Sequence, residues 1–237
     1  MINRIVDISQ RKAARIAGLL YLIVIVSGVF AQLVRQSLIV PGDAAATAHN
    51  ILASESLFRL GFVSDLIQST CWLLLPFALY VLLKPVNKNF ASIMVLFVLA
   101  GVAMQCINML NQFAALLLLR GADYLKVFQA DQLHALTMFF LNMHKYGYSS
   151  AGIFHGLWLL PLGYLVFKSN YFPRIFGVLL IIACFGFLVD FFTFFLFPSY
   201  AAIISPIVFA PAAIAKFSFC GWLLIKGVKI PDMKSRR

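Results

Sequence analysis

The sequence predicts an all-α, polytopic membrane protein with six transmembrane helices, and three observations lead to this fold class. First, 62% of the 237 residues are apolar and 11% are charged, whereas soluble domains average about half apolar and about a quarter charged. Second, the apolar residues form six runs, each near or above the ~20 residues that a helix needs to cross a bilayer. Third, a run of this length satisfies its backbone amides in lipid only as a helix. Together with a mean hydropathy of +0.94, these observations exclude an ordinary soluble globule, a disordered chain and a disulfide-built secreted domain.

The first predicted span covers about residues 13–35 and follows the basic residues Arg4, Arg11, Lys12 and Arg15. This flank is typical of a signal peptide or of a first transmembrane helix. The apolar stretch of about 19 residues is too long for a typical signal sequence and long enough to span. We therefore expect an uncleaved helix.

The segment after the first span contains Pro41-Gly42-Asp43, which predicts a turn and then a short helix with Asp43 as its N-cap. Pro76 and Pro161 are expected to kink the second and fourth spans. The whole chain, residues 1–237, is predicted to form one integral-membrane domain. The five later spans are predicted at about residues 57–83, 90–119, 145–167, 174–196 and 206–226.

The connection before the fourth span, residues 121–145, has an amphipathic pattern. Asp131, His134, Asn142 and Lys145 fall on one helical stripe, and apolar residues occupy the rest of the surface. This pattern predicts a short amphipathic helix in the outer membrane interface. An extension of the fourth transmembrane helix explains the same pattern, and the sequence leaves both alternatives open.

The net charge of +11 arises from short basic clusters between the apolar runs, so we expect membrane lipids and no nucleic acid as partners. Alternate ends of the six spans carry 13 and 5 basic residues. The positive-inside rule therefore predicts that both termini are cytoplasmic. The basic residues on the predicted cytoplasmic side are Arg4, Arg11, Lys12, Arg15, Lys84, Lys88, Lys168, Arg174, Lys226, Lys229, Lys234, Arg236 and Arg237.

Four predicted spans each carry a polar stripe with helical spacing, in the half of the membrane opposite the termini. Ionisable residues inside a span are costly and are functional candidates. We predict that the stripes converge on a water-accessible pocket open to the outer side, with Lys216 at its floor and paired with Asp190 or Asp65, directly or through water. Packing of helices by polar side chains is the alternative. The candidate ligand-binding residues are Asp65, Gln68, Gln105, Asn108, His155, Asp190 and Lys216.

Several longer motifs carry a resemblance to a known family. They include Arg15-Ile-Ala-Gly18-Leu-Leu-Tyr21 near the start, Leu82-Leu-Lys84-Pro85-Val86-Asn87 after the second span, and Tyr171-Phe-Pro173-Arg174-Ile-Phe-Gly177 before the fifth. Over nearly the whole chain the sequence resembles a bacterial family of small inner-membrane proteins known only as a domain of unknown function. The resemblance implies a six-helix fold in the bacterial inner membrane and implies no activity.

The sequence shows no catalytic motif, and we expect no metal and no cofactor. A zinc site needs three or more converging ligands, whereas His155 is the one histidine well inside a span. Two functions stay open. The protein binds or transports a small solute, ion or lipid through the polar pocket, or it is a scaffold or accessory subunit for another membrane protein. An intramembrane enzyme is less favoured, and the oligomeric state is not predicted.

Overall fold

The computed structural model describes residues 2–228, with side chains from residue 10 onward. The described chain is mostly helical and contains no strand, which confirms the all-α class. A 3-10 turn, Asp123–Leu125, lies between the fourth and fifth helices. The helices are α1 (Ile2–Leu38), α2 (Ala44–Ala53), α3 (Glu55–Leu83), α4 (Lys88–Arg120), α5 (Ala130–Leu157), α6 (Leu159–Lys168), α7 (Arg174–Leu196) and α8 (Pro198–Ile225).

Six helical segments are long and apolar enough to cross a membrane, which confirms the six predicted spans. They are α1 from Gln10 onward, α3, α4, the combined α5 and α6, α7 and α8. The cytoplasmic position of the termini stays a prediction. Some of the basic residues that support this orientation lie outside the described part of the structure. They are Arg4, whose side chain is not described, and Lys229, Lys234, Arg236 and Arg237.

The predicted turn and short helix after α1 are confirmed. Gly42 has a φ of 82°, which glycine adopts without a Cβ clash. The backbone N–H of Ala46 donates to the Asp43 carboxylate at 2.8 Å, so Asp43 is the N-cap of α2. The Asn50 amide donates to the Leu38 carbonyl at 3.3 Å and thereby ties α2 to the end of α1.

The fourth span is longer than predicted. Helix α5 begins at Ala130 and continues without a break through Lys145, as in the alternative that extends the fourth transmembrane helix. The location of its first turns in the membrane interface stays a prediction. The helix is interrupted at Trp158, three residues before Pro161, because proline lacks the N–H that would bond the carbonyl four residues earlier.

The last span begins at Pro198, eight residues before the predicted start at residue 206. Pro206 and Pro211 lie inside α8 and do not end it, since neighbouring helices and local adjustments tolerate proline in membrane helices. Pro198 occupies the first turn, where its missing N–H is not needed. Similarly, α3 continues through Pro76.

The described chain divides into two compact units. Unit 1 comprises Met1–Leu22, Cys71–Gly101 and Ala151–Arg237, and unit 2 comprises Ile23–Thr70 and Val102–Ser150. Four of the predicted site residues, Asp65, Gln68, Gln105 and Asn108, belong to unit 2, and the other three belong to unit 1. The single integral-membrane domain over residues 1–237 stays a prediction.

Small residues allow close helix contacts within unit 1. A Cβ at Gly163 would lie 2.8 Å from the carbonyl oxygen of Gly177, so α6 and α7 approach each other along their glycines, as membrane helices commonly do. The Cys220 thiol contacts the Gly18 carbonyl at 3.6 Å. The buried Tyr21 ring packs edge-on against Trp158 and Phe219.

Unit 2 has an apolar core at one end of its helices. The core residues are Val34, Leu38, Ile51, Phe58, Ala115, Leu116 and Leu141. They come from α1, α2, α3, α4 and α5, so the short α2 is packed into the unit. This core therefore joins the five helices of unit 2.

Candidate functional site

An ion pair joins α1 and α3 inside unit 2. The Arg35 guanidinium donates to the carboxylate oxygen Oδ2 of Asp65. The Asp65 side chain is 1% exposed and that of Arg35 is 13% exposed. A buried carboxylate is stable only when it is paired and hydrogen-bonded, so Arg35 is the residue that permits Asp65 to be buried.

Tyr148 links this ion pair to α5. The centre of the Arg35 guanidinium lies 5.9 Å from the centroid of the Tyr148 ring, within the range of a cation–π contact. The Tyr148 hydroxyl also lies close to the Gln68 side chain. Gln68 in turn packs on Gly28 of α1, where an added Cβ would lie 3.0 Å from its amide.

Asn108 of α4 and His144 of α5 form a second polar pair. The Asn108 amide nitrogen donates to the His144 carbonyl at 2.8 Å and lies 3.3 Å from ring atom Nδ1. Asn108 packs directly on Gly147, where a Cβ would lie 2.0 Å from its Oδ1 atom. The His144 and Tyr148 rings are 6.5 Å apart, so this pair adjoins the first.

These contacts connect six side chains from four helices, which we call the polar cluster. Every member belongs to unit 2, and successive members touch through the contacts given above. The cluster contains one positive and one negative charge that neutralise each other. Its members are Arg35, Asp65, Gln68, Asn108, His144 and Tyr148.

The polar cluster contains buried acceptors without a donor among the described residues. Asp65 Oδ1 and Gln68 Oε1 have no hydrogen-bond partner, although their side chains are 1% and 8% exposed. His144 Nε2 also has no partner among the described residues, and the tautomer of the ring decides whether it donates or accepts. Since more than 90% of buried polar groups in proteins are hydrogen-bonded, Asp65 Oδ1 and Gln68 Oε1 are suited to bind a group that donates hydrogen bonds or carries positive charge.

Helix α4 carries two further buried acceptors near Asn108. Gln105 and Gln112 lie one helical turn on either side of Asn108 and are each 1% exposed. The Oε1 atom of each has no partner among the described residues. Gln105 therefore lies on the same stripe as Asn108, as predicted, and Gln112 extends that stripe.

The other predicted site residues have different surroundings in unit 1. The His155 ring stacks on Trp72, with centroids 4.0 Å apart and planes inclined by 6°. The ammonium of Lys216 lies 4.2 Å from the centroid of Phe187. Both side chains are thus held by aromatic rings, and the sequence patterns did not predict this stacking.

The predicted direct pairing of Lys216 is wrong for the described residues. Asp190 accepts a hydrogen bond from the Ser205 hydroxyl. Within the described chain, no salt bridge joins Lys216 to Asp190. Asp65 pairs with Arg35 instead. The physical reason is that a phenylalanine face attracts the ammonium while a hydroxyl satisfies the carboxylate. A common pocket for all seven candidates stays a prediction.

Three members of the polar cluster are not among the candidate residues predicted from the sequence. Arg35 is the last residue of the first predicted span, His144 directly precedes the fourth, and Tyr148 lies near the start of the fourth. The opposite charges of Arg35 and Asp65, near the same predicted end of consecutive spans, were the available signal. His144 had no such signal, because its contact with Asn108 depends on which helices are neighbours.

The six spans and the all-α architecture define a multi-pass helical membrane protein. Residues 16–227 match the family model described as "Domain of unknown function (DUF4386)", and the chain belongs to this family. An uncharacterized protein of the archaeon Archaeoglobus fulgidus is 33% identical over 158 residues, which cover 67% of this chain and 78% of the relative. No solved structure matches the chain.

Proposed function

We propose that this protein binds a small solute or ion in the polar cluster, and that the ligand carries positive charge or hydrogen-bond donors. The single observation behind this proposal is the set of buried acceptors around the Arg35–Asp65 pair. Arg35 occupies one carboxylate oxygen of Asp65 and leaves the other for the ligand. A passage for the ligand from the predicted outer side, and any transport step, belong to the same proposal.

Packing alone explains only part of the cluster. The Asn108–His144 contact is satisfied and suits a role in joining α4 to α5. The unpartnered acceptors are different, because a buried acceptor without a donor destabilises a fold by about 1–3 kcal/mol. Asp65 Oδ1 and Gln68 Oε1 together therefore favour a bound partner over packing alone.

We also propose the bacterial inner (plasma) membrane as the location, with both termini cytoplasmic and membrane lipids as partners. The basic residue counts of 13 and 5 on alternate sides support this orientation. Large apolar side chains on the outside of the helices, such as Ile107 and Leu110, are suited to contact lipid. The archaeal relative extends the similarity beyond bacteria.

Thermal unfolding of the purified full-length protein tests the binding proposal. The probes are sodium, potassium, ammonium and choline chlorides at constant ionic strength, and sorbitol as a neutral donor. A ligand at a hundred times its Kd stabilises the folded state by about 2.7 kcal/mol, so at least one probe is expected to raise the Tm.

Two variants localise the effect. Asp65→Asn removes the negative charge of the cluster, leaves the Arg35 cation unpaired, and is expected to abolish the ligand-induced rise in Tm. Asp123→Asn, which changes an exposed carboxylate outside the polar cluster, is the control and should keep it. If Asp65→Asn does not fold, Gln68→Met replaces it. A rise in Tm that persists in these variants would support the scaffold alternative. The same conclusion would follow if no probe raised the Tm and a protein partner co-purified in a stoichiometric amount.

A further inference from the structure

A basic pocket lies where α1 and α8 meet in unit 1. It has a volume of about 290 Å³. Two arginines of α1, Arg11 and Arg15, form one wall. The end of α8 forms the other wall, through Ile225, Lys226, Gly227 and Val228.

The two helices are held together just beyond this pocket. Arg11, Arg15 and Gly18 are four and three residues apart, so they lie on one face of α1. A Cβ at Gly18 would lie 3.0 Å from the backbone nitrogen of Leu224. The close approach at Gly18 therefore aligns both arginines with the end of α8.

The end of α8 is also fixed. The backbone N–H groups of Lys226 and Gly227 both donate to the Trp222 carbonyl at 2.9 Å. Gly227 has a φ of 61°, which suits glycine at a helix C-terminus. The Lys226 ammonium lies 4.7 Å from the Trp222 ring centroid. Lys226 thus faces the pocket from a defined backbone position.

Among the side chains that the structure describes, the pocket concentrates positive charge without a matching anion. Three of its lining residues, Arg11, Arg15 and Lys226, are cationic, and none of the lining residues is acidic. In the described part of the chain, none of these three forms a salt bridge. Guanidinium groups match the geometry of phosphate oxygens.

We propose that this basic pocket binds the phosphate group of an anionic phospholipid. The first predicted span begins at residue 13, just after Arg11, and α8 ends at Ile225, which places the pocket at the level of lipid headgroups. Ile225 on its rim is 84% exposed, and Ile16 and Leu19 on α1 are each 54% exposed, so apolar surface for acyl chains adjoins the cations. A soluble phosphate offers the same chemistry to the arginines but has no acyl chain that could contact this apolar surface.

Native mass spectrometry of the full-length protein tests the proposal, with lipid retention and Tm as the two readouts. The probes are phosphatidylglycerol, phosphatidylcholine and inorganic phosphate. Phosphatidylglycerol is expected to be retained as a one-to-one adduct more strongly than zwitterionic phosphatidylcholine. Arg11→Gln/Arg15→Gln should weaken retention about 25-fold, roughly fivefold for each cation. Lys12→Gln, an exposed neighbour outside the pocket, should leave it unchanged.

The alternative is that the arginines only bind the carbonyls at the end of α8, and the same experiment distinguishes the two roles. Arg11→Lys/Arg15→Lys keeps the charge and should keep more retention than the glutamine variant. Equal retention of both lipids, or a glutamine variant that loses Tm but not lipid, would overturn the proposal. If inorganic phosphate raises the Tm as much as phosphatidylglycerol does, the lipid assignment is overturned in favour of soluble phosphate.

Discussion

At the scale of single residues, charge pairing decides which predicted site residues belong together. Asp65, Gln68 and Asn108 were identifiable from the sequence because polar residues at helical spacing are rare in apolar runs. Arg35 and His144 were not, since their contacts join helices whose neighbours the sequence does not specify. For the same reason, Lys216 was assigned a carboxylate partner where the structure provides the face of Phe187.

Removal of Arg35 is expected to be severe. Arg35→Met leaves the buried Asp65 carboxylate uncompensated, and loss of one partner of a buried pair costs roughly 3–5 kcal/mol. Chemical denaturation in detergent measures the loss in the free energy of unfolding. Arg59→Met is the control, because Arg59 pairs with Glu55 on the surface, where such pairs contribute about 0–1 kcal/mol. Equal losses in the two variants would contradict the importance assigned to the Arg35–Asp65 pair.

Gly147 is expected to tolerate no side chain. Gly147→Ala places a Cβ 2.0 Å from Asn108 Oδ1 and should lower the Tm, although alanine favours helices over glycine by about 1 kcal/mol. Gly152→Ala on the same helix has no heavy atom within 4 Å of its Cβ and should not lower the Tm. A Tm for Gly147→Ala at or above that of Gly152→Ala would refute the close packing of α4 on α5.

At the scale of helices, apolar run lengths predicted the spans, and local chemistry predicted some of their ends. The span at Arg174–Leu196 agrees with its predicted bounds, and Asp43 caps α2 as its side chain indicates. The start of α8 was missed because Pro206 was interpreted as a boundary, whereas tertiary neighbours permit proline inside a membrane helix. The length of α5 was undecided because an amphipathic pattern fits an interfacial helix and an extended span equally.

The α2 cap gives a test at this scale. Asp43→Ala removes the acceptor for the Ala46 N–H and should cost about 1 kcal/mol, with faster hydrogen exchange confined to α2. Asp43→Ser retains a side-chain acceptor and should restore most of the protection. Unchanged exchange in Asp43→Ala would show that contacts such as Asn50 with Leu38 hold α2 without its cap.

At the scale of the whole molecule, composition and run length sufficed for the membrane-spanning class, and the family match covers residues 16–227. The division into two units was not predictable, because α1, α3, α4 and α5 are each continuous in sequence and yet each contributes residues to both units. Function is the least determined level, since a polar cluster indicates the chemistry of a ligand but not its identity.

The proposed orientation can be measured with single cysteines in a background without the four native ones. Tyr124→Cys in the connection between α4 and α5, where Tyr124 is exposed, should react with a membrane-impermeant maleimide in intact cells. Asn89→Cys at the start of α4, also exposed, should react only after the cells are opened. The reverse pattern would place both termini outside the cytoplasm.

An experimental structure of the full-length protein with the probe that raises its Tm, at a resolution that shows bound ions and water, tests the proposed binding site. Density for that probe is expected within bonding distance of Asp65 Oδ1 and Gln68 Oε1, with Arg35 still bound to Asp65 Oδ2 and no such density in Asp65→Asn. Protein donors on both acceptors, with the probe bound elsewhere, would show that the polar cluster is not the binding site.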